Sequence, residues 1–401
     1  MKKIILISLL RAIAICGQIA FIKVYTHYLS AAQLGHYYFY FTTSYFLNAL
    51  IFVPVDFFQQ AEVFKLQKRK LSLHNLIHLN KLILTIVALI SLIVGIILIY
   101  FKLVDIAVYF SIVLTSLCTF IATSTKNFIN NQGGQVLVVS TMILEFVTKT
   151  VSFLIFIIYF GFKRPETVLC ATIISLLIGL IPLYPRARSL IATFGDQKEI
   201  INKQRLLNFC WPLSFGAILN WLQLQGYRLI LVPLGYAEMV GIFATVSSVG
   251  STGMNAAATI YQQIYLPRIY QSHGEYTRRY LKYAMFVIVI IFMIGMLFKN
   301  LIISLITSKI FLQYSSVIGL GILIESGNFI IGAISVHMSI NEQMVDQIKA
   351  TFYGVLFVPI IFLILVYSKM LNTYTIGFPL FISQIIICVY LFKRSGFGHA
   401  R

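Results

Sequence analysis

Acidic side chains are scarce in this chain: 12 Asp and Glu stand against 31 Lys and Arg in 401 residues, and charged residues of both signs make up only 11%. Soluble domains carry roughly a quarter, so the composition excludes a water-soluble globular protein. No long polar segment is present that could fold as a separate soluble domain. No Walker-type phosphate loop occurs either, since Gly133-Gly134 reads as a turn. Energy for any transport would have to come from an ion gradient, the membrane potential or the substrate gradient. The five cysteines, Cys16, Cys118, Cys170, Cys210 and Cys388, fall inside or at the edge of apolar runs with no paired spacing. They read as small buried hydrophobes rather than disulfides or metal ligands. His74 and His78 have the i, i+4 spacing of a metal pair but follow Lys68-Arg69-Lys70 in an amphipathic segment with no Glu in register. No metal and no cofactor is expected.

What the chain has in abundance is apolar length. Hydrophobic residues make up 59% and the mean hydropathy is +0.89. A bilayer crossing takes about 20 mostly apolar residues, and runs of that length recur from end to end. They predict an all-α integral membrane protein of about twelve transmembrane helices. The expected spans are 4–25, 37–61, 79–101, 104–125, 136–161 and 166–184, then 207–233, 237–263, 281–298, 314–340, 350–367 and 373–392. Leu301 to Ile306 reads as a helix edge or a partly inserted loop. Met1-Lys2-Lys3 and its apolar run imitate a signal peptide, but Arg11 interrupts the run and Ile15 is too large to precede a cleaved Cys16, so an uncleaved first helix is expected.

The cations are spread over alternate connections. With the N-terminus inside, 21 Lys and Arg fall on the cytoplasmic face and 6 on the other, with Arg11, Lys23, Lys149 and Arg228 inside spans. This is the positive-inside bias, and it places both termini in the cytoplasm. It also removes the reason to invoke nucleic acid. The segment from Arg268 to Lys282, with Tyr270, Tyr276 and Tyr280, reads as an interfacial helix against anionic membrane lipid.

The longest connection, residues 186–206, is basic and divides the chain into 1–185 and 207–401. Each half would form a six-helix bundle, and the halves partly repeat. Leu34-Gly35-His36-Tyr37 corresponds to Val240-Gly241-Ile242-Phe243, Asn48 to Asn255, and Gln59-Gln60 to Gln262-Gln263. Two pseudo-symmetric bundles in parallel orientation follow, a repeat type used by transporters.

Polar residues inside these spans mark the expected site, which is placed between the bundles. Arg11, Gln18 and Tyr25 are seven apart and share a face. Lys23 lies near the far end of the same helix, where it lines the cavity or snorkels to the outer interface. The second helix offers Asn48, Asp56 and Gln59, and the seventh Asn220, Gln223 and Arg228. The eighth carries the stripe Ser248, Thr252, Asn255, Thr259 and Gln262, which also suits helix–helix glue. A guanidinium in a membrane span needs a carboxylate or an aqueous cavity. Glu145 and Lys149 are four apart and read as an internal ion pair or coupling group. Glu325 reads as a coupling carboxylate or the partner of Arg228. The lining is net cationic and suits an anionic substrate, since Arg grips phosphate in a forked geometry.

Arg11, Gly17 and the connector Tyr25 to Tyr37 with its Leu29-Ser30-Ala31-Ala32-Gln33-Leu34-Gly35-His36-Tyr37, matched by Gly235-Tyr236-Ala237-Glu238-Met239-Val240-Gly241-Ile242-Phe243 after the seventh helix, carry a resemblance. The chain resembles the polysaccharide-repeat-unit (O-antigen) flippases of the multidrug/oligosaccharidyl-lipid/polysaccharide exporter superfamily. The resemblance implies a multi-pass protein of the bacterial inner membrane that moves an undecaprenyl-diphosphate-linked oligosaccharide to the periplasmic leaflet by alternating access. It also implies a cationic cavity with Arg11 and Arg228 on the diphosphate, and other polysaccharide assembly proteins as partners. Flippases of the lipid-linked murein precursor usually carry two more helices. The competing readings are a multidrug or cation antiporter of the same fold, which would favour carboxylates over cations, and a membrane polysaccharide polymerase or glycosyltransferase, which would need a long outer loop.

Overall fold

The computed structural model describes residues 2–69, 71–192, 194–195, 203–340 and 343–395, the side chains of 2–5, 64, 68, 74–81, 203, 263 and 344 excepted. The expectation for His74 and His78 therefore lies outside the described side chains, as does much of the 186–206 linker. Every regular element among the described residues is helical. In order these are α1 (Lys2–Tyr28), α2 (Ala31–Leu47), α3 (Val53–Lys68), α4 (His74–Tyr100), α5 (Ile106–Asn131), α6 (Gln135–Leu154) and α7 (Pro165–Ile191). They continue with α8 (Lys203–Leu231), α9 (Ala237–Gln271), α10 (Thr277–Leu297), α11 (Lys299–Ile306), α12 (Ile318–Ile340), α13 (Met344–Tyr367) and α14 (Phe378–Arg394).

Among the described residues fourteen α-helices thus stand where about twelve were expected. The second expected span is broken into α2 and α3 by a π turn, Asn48–Phe52, just before Pro54. Proline has no N–H to donate and its ring crowds the carbonyl four residues back, which a widened turn relieves. The short α11 accounts for the other addition. Nine helices or joined helices among the described residues are long and apolar enough to cross a membrane, and α8 and α9 are not among them. Those two carry Asn220, Gln223, Arg228 and Asn255. Their polarity is what a water-lined surface tolerates and lipid does not.

The chain forms two compact units, Met1–Leu29 with His36–Ile218, and Ser30–Gly35 with Leu219–Arg401. The division falls inside α8 rather than in the basic linker, and α7 runs on to Ile191, past its expected end at Tyr184. In the first unit α7 packs on α5 and α6, and α1 on α6. An apolar cluster joins α3, α4, α5 and α8 through Phe52, Val55, Phe58, Ile83, Phe120 and Leu206. Phe52 and Phe120 stack with centroids 4.3 Å apart. The carboxylate of Glu62 receives Arg205 at 2.9 Å and Lys65 at 3.0 Å, which ties the start of α8 to α3.

In the second unit α12 packs on α9, α10 and α14, and α13 on α14. The start of α2 belongs here. Gln33 N–H donates to Ser30 Oγ at 3.3 Å and Ser30 N–H donates to Gln33 Oε1 at 2.9 Å. This reciprocal exchange is a capping box. The repeated motifs then meet. A Cβ on Gly35 would stand 1.9 Å from the carbonyl oxygen of Ala237, and one on Gly241 would stand 1.9 Å from that of Ala31. Each helix start reads Ala-x-x-x-Gly, so the crossing is reciprocal, and only hydrogen at both glycines lets the backbones approach so closely.

Candidate functional site

The expected site residues fall into two sets, one in each unit. In the first, α1 presents Arg11 and Gln18 exposed and Lys23 half-buried. No carboxylate lies within 4.0 Å of Arg11 among the described residues. Asn48 is 5% exposed and spends its amide inside the unit, donating to Ser116 Oγ at 3.0 Å on α5 and to Ser44 O at 3.3 Å. Asp56 was expected among the polar residues of the cavity. Instead its Oδ2 accepts from Asn127 Nδ2 at 2.8 Å and Gln60 Nε2 at 2.6 Å, while Asn131 Nδ2 donates to Gln60 Oε1 at 3.0 Å. The pairs Asp56/Gln60 and Asn127/Asn131 are each four apart, one helical turn, so two facing stripes zip α3 to α5. That spacing was visible in the sequence and went unused.

Glu145 and Lys149 do not form the internal ion pair that their spacing suggested. Glu145 Oε2 lies 2.6 Å from Lys126 Nζ, with the two side chains 14% and 16% exposed. Lys126 was counted among cytoplasmic loop cations, but α5 runs on to Asn131 and carries it onto the helix. Lys149 Nζ instead sits 4.7 Å from the centre of the Phe21 ring, a cation–π contact. Around them α1, α6 and α7 enclose a cavity of about 300 Å³, which Gln18, Phe21, Tyr25, Lys149, Thr172 and Ser175 help to line. Glu145 Oε1 is buried without a hydrogen-bond partner among the described residues, and a Cβ on Gly179 would stand 2.4 Å from it. Glycine on α7 is therefore what leaves room for the carboxylate. A smaller cavity of about 80 Å³ lies beside Tyr45, Asn48 and Asp56.

In the second unit, Arg228 is half-buried and donates from Nη1 to Gln225 Oε1 at 2.7 Å and from Nε to Tyr227 Oη at 3.0 Å. Its guanidinium lies 5.3 Å from the Tyr227 ring centre. Gln223 is 1% exposed, and its Nε2 has no hydrogen-bond partner among the described residues. Asn220 and Asn255 are exposed. Glu325 is not the partner of Arg228. It accepts from Asn328 Nδ2 at 3.2 Å, and Asn328 Oδ1 accepts from the buried Gln384 Nε2 at 2.7 Å. Glu325 thus has one amide donor, itself held by a second amide, and no cation within 4.0 Å among the described residues. Gln384 and Asn328 were missed because a lone amide in an apolar run carries no spacing signal. No group of three or more metal-ligating side chains occurs among the described residues.

No known family profile matches the chain, and no curated protein does. Solved structures do. The chain is similar to the lipid II flippase MurJ in an inward closed conformation, with a TM-score of 0.70 and 14% identity over 97% of this chain and 86% of that one. It is similar to the inward-facing conformation of a multidrug resistance MATE family transporter of the MOP superfamily, with a TM-score of 0.60 and 14% identity over 96% and 94% of the two chains. The Vibrio cholerae MATE transporter VcmN in its bent form gives a TM-score of 0.56 and 14% identity over 98% and 96%. The likeness shows that the chain has the fold of these solved structures.

Proposed function

We propose that this protein is a flippase that carries a diphosphate-linked oligosaccharide repeat unit on an undecaprenyl lipid from the cytoplasmic to the periplasmic leaflet by alternating access. The observation that carries the reading is Arg11, a guanidinium exposed on a membrane-length helix with no carboxylate within 4.0 Å among the described residues. A cation costs about 2.5 to 3.5 kcal/mol at the centre of such a span on the mild insertion scale and less toward its ends, so one held inside the span is kept for a partner. The forked geometry of guanidinium fits a diphosphate. Within the first unit Gln18 is a hydroxyl partner for the sugars and Lys23 a further cation; within the second, Arg228 over the Tyr227 ring is a cation with Asn220, Gln223 and Asn255 as its own set of hydroxyl partners. Asn48 and Asp56 hold α2 and α3 on α5 and so position the helix rather than grip the substrate. Glu325, a carboxylate supplied with amides alone, is the coupling group that a cation from solution would neutralise.

The likeness to a lipid II flippase supports a lipid-linked substrate for this chain as well. A multidrug antiporter is the second reading, favoured by the likeness to MATE transporters. One experiment separates them. In a host lacking the gene, Arg11→Ala should abolish surface polysaccharide on gels while the protein reaches the membrane in normal amount, and drug susceptibility should not move. Normal polysaccharide in that strain overturns the assignment; raised drug susceptibility with normal polysaccharide favours the antiporter.

A further inference from the structure

The cavity inside the first unit has a use of its own. Lys126 and Glu145 neutralise each other at 2.6 Å, which leaves Lys149 as the cation of the cavity whose charge no carboxylate within 4.0 Å meets among the described residues. Its contact with Phe21 at 4.7 Å holds the ammonium against a ring face. That contact supplies attraction but no negative charge. The hydroxyls nearby are oriented too. Thr172 Oγ1 donates to Val168 O at 2.7 Å and Ser175 Oγ donates to Thr172 O at 2.8 Å. Both have spent their protons on backbone and offer only lone pairs elsewhere. Gln18 brings an amide that both donates and accepts, and Phe21 and Tyr25 bring apolar ring faces. At about 300 Å³ the cavity is at the lower end of ligand-holding clefts.

Glu145 lines the cavity as well, its Oε2 paired with Lys126 and its Oε1 buried without a hydrogen-bond partner among the described residues, so a ligand complementary to this lining carries one negative charge for Lys149, hydroxyl donors for Glu145 Oε1, Thr172 and Ser175, and an apolar ring edge for the aromatic walls. We infer that the cavity around Lys149 is a subsite for an acidic pyranose, a sugar residue bearing a carboxylate, within the transported glycan. A bare diphosphate supplies the charge but not the hydroxyl donors. The inference rests on the flippase reading for its biological ligand; it shares Gln18 with that reading but turns on Lys149 rather than on Arg11 or Arg228, and it is tested by binding alone.

The test uses the purified full chain in detergent micelles, titrated with glucuronic acid, with the uncharged methyl ester of glucuronic acid, with N-acetylglucosamine and with inorganic pyrophosphate, and read by saturation-transfer NMR. Glucuronate should bind best. Lys149→Gln should weaken it at least about tenfold, the loss of one charge-assisted hydrogen bond, and Lys149→Arg should restore most of the affinity. Gln18→Leu, at the one exposed lining position, should weaken glucuronate about threefold without disturbing the fold, and it carries the test if Lys149→Gln does not fold. Equal binding of glucuronate and its methyl ester, equal binding to wild type and Lys149→Gln, or no glucuronate binding at all overturns the inference. Lys149-dependent binding of pyrophosphate alone also overturns it, assigning the cavity to the lipid diphosphate instead. Loss of export in Arg11→Ala with Lys149-independent glucuronate binding would sink this subsite and leave the flippase standing.

Discussion

Glu145 in the first unit and Glu325 in the second are both carboxylates held among membrane helices, yet their surroundings differ in kind. Glu145 has a lysine 2.6 Å away from a neighbouring helix, and a second lysine one turn along its own helix lies farther off. Glu325 has an amide donor at 3.2 Å, and that amide is itself held by Gln384 at 2.7 Å. A buried ion pair is strong only while both members are present. A carboxylate among neutral dipoles has no member to lose, and its counter-charge has to arrive from outside. One unit therefore carries a closed electrostatic pair and the other an open one, which is why we propose the coupling role for Glu325 and a fixed, structural role for the pair.

The difference is broken most directly by removing charge from the pair. Glu145→Gln leaves Lys126 buried without its anion, and a loss of about 3 to 5 kcal/mol is expected, read as unfolding of the purified protein in detergent. Adding Lys126→Met should recover most of it, because replacing both members of a buried pair with neutral groups of similar size is close to neutral. If Glu145→Gln alone is as stable as wild type, the pair is not the closed unit described here. A middle case sharpens the comparison. Asp56 lies in the first unit but is served by amides, as Glu325 is. Asn127→Ala removes the bond that Asn127 Nδ2 donates to the Asp56 carboxylate at 2.8 Å. It should cost about 1.5 to 3 kcal/mol, between the two extremes. A cost as large as that of Glu145→Gln would mean that the amide zip, not the ion pair, dominates the first unit.

How much of this could be read from the residues themselves follows from what carries a periodic signal. Long apolar runs carry a strong one, and the helices stand near their expected spans. The Leu34-Gly35 and Val240-Gly241 correspondence also has a spatial counterpart, in a crossing where each glycine faces the other motif's alanine carbonyl. Three features escaped for physical reasons. The break at Asn48–Phe52 follows from Pro54, whose effect is on hydrogen bonding and leaves hydropathy unchanged. Lys126 was assigned to a loop because a charge marks a helix end only on average, and here Glu145 on α6 compensates it, so α5 continues past it. The amide partner of Glu325, Asn328, is itself held by Gln384, which lies 56 residues from Asn328 in sequence. Such a contact is set by packing of α12 on α14 and has no local signature.

The smallest structural effect is expected at Glu325, and there the functional effect should be largest. Gln in place of Glu325 still offers an oxygen to Asn328 Nδ2, so the bond at 3.2 Å survives. Stability should change by less than about 1 kcal/mol. No cation is orphaned, because none lies within 4.0 Å among the described residues. What the substitution removes is the negative charge that a cation from solution would meet. Surface polysaccharide should therefore fall sharply in Glu325→Gln at unchanged membrane abundance, and transport reconstituted in vesicles should lose its response to an imposed ion gradient. A stable variant that keeps that response would move the coupling group elsewhere. An unstable one would show that Glu325 depends on a counter-charge after all, and the contrast with Glu145 would then disappear.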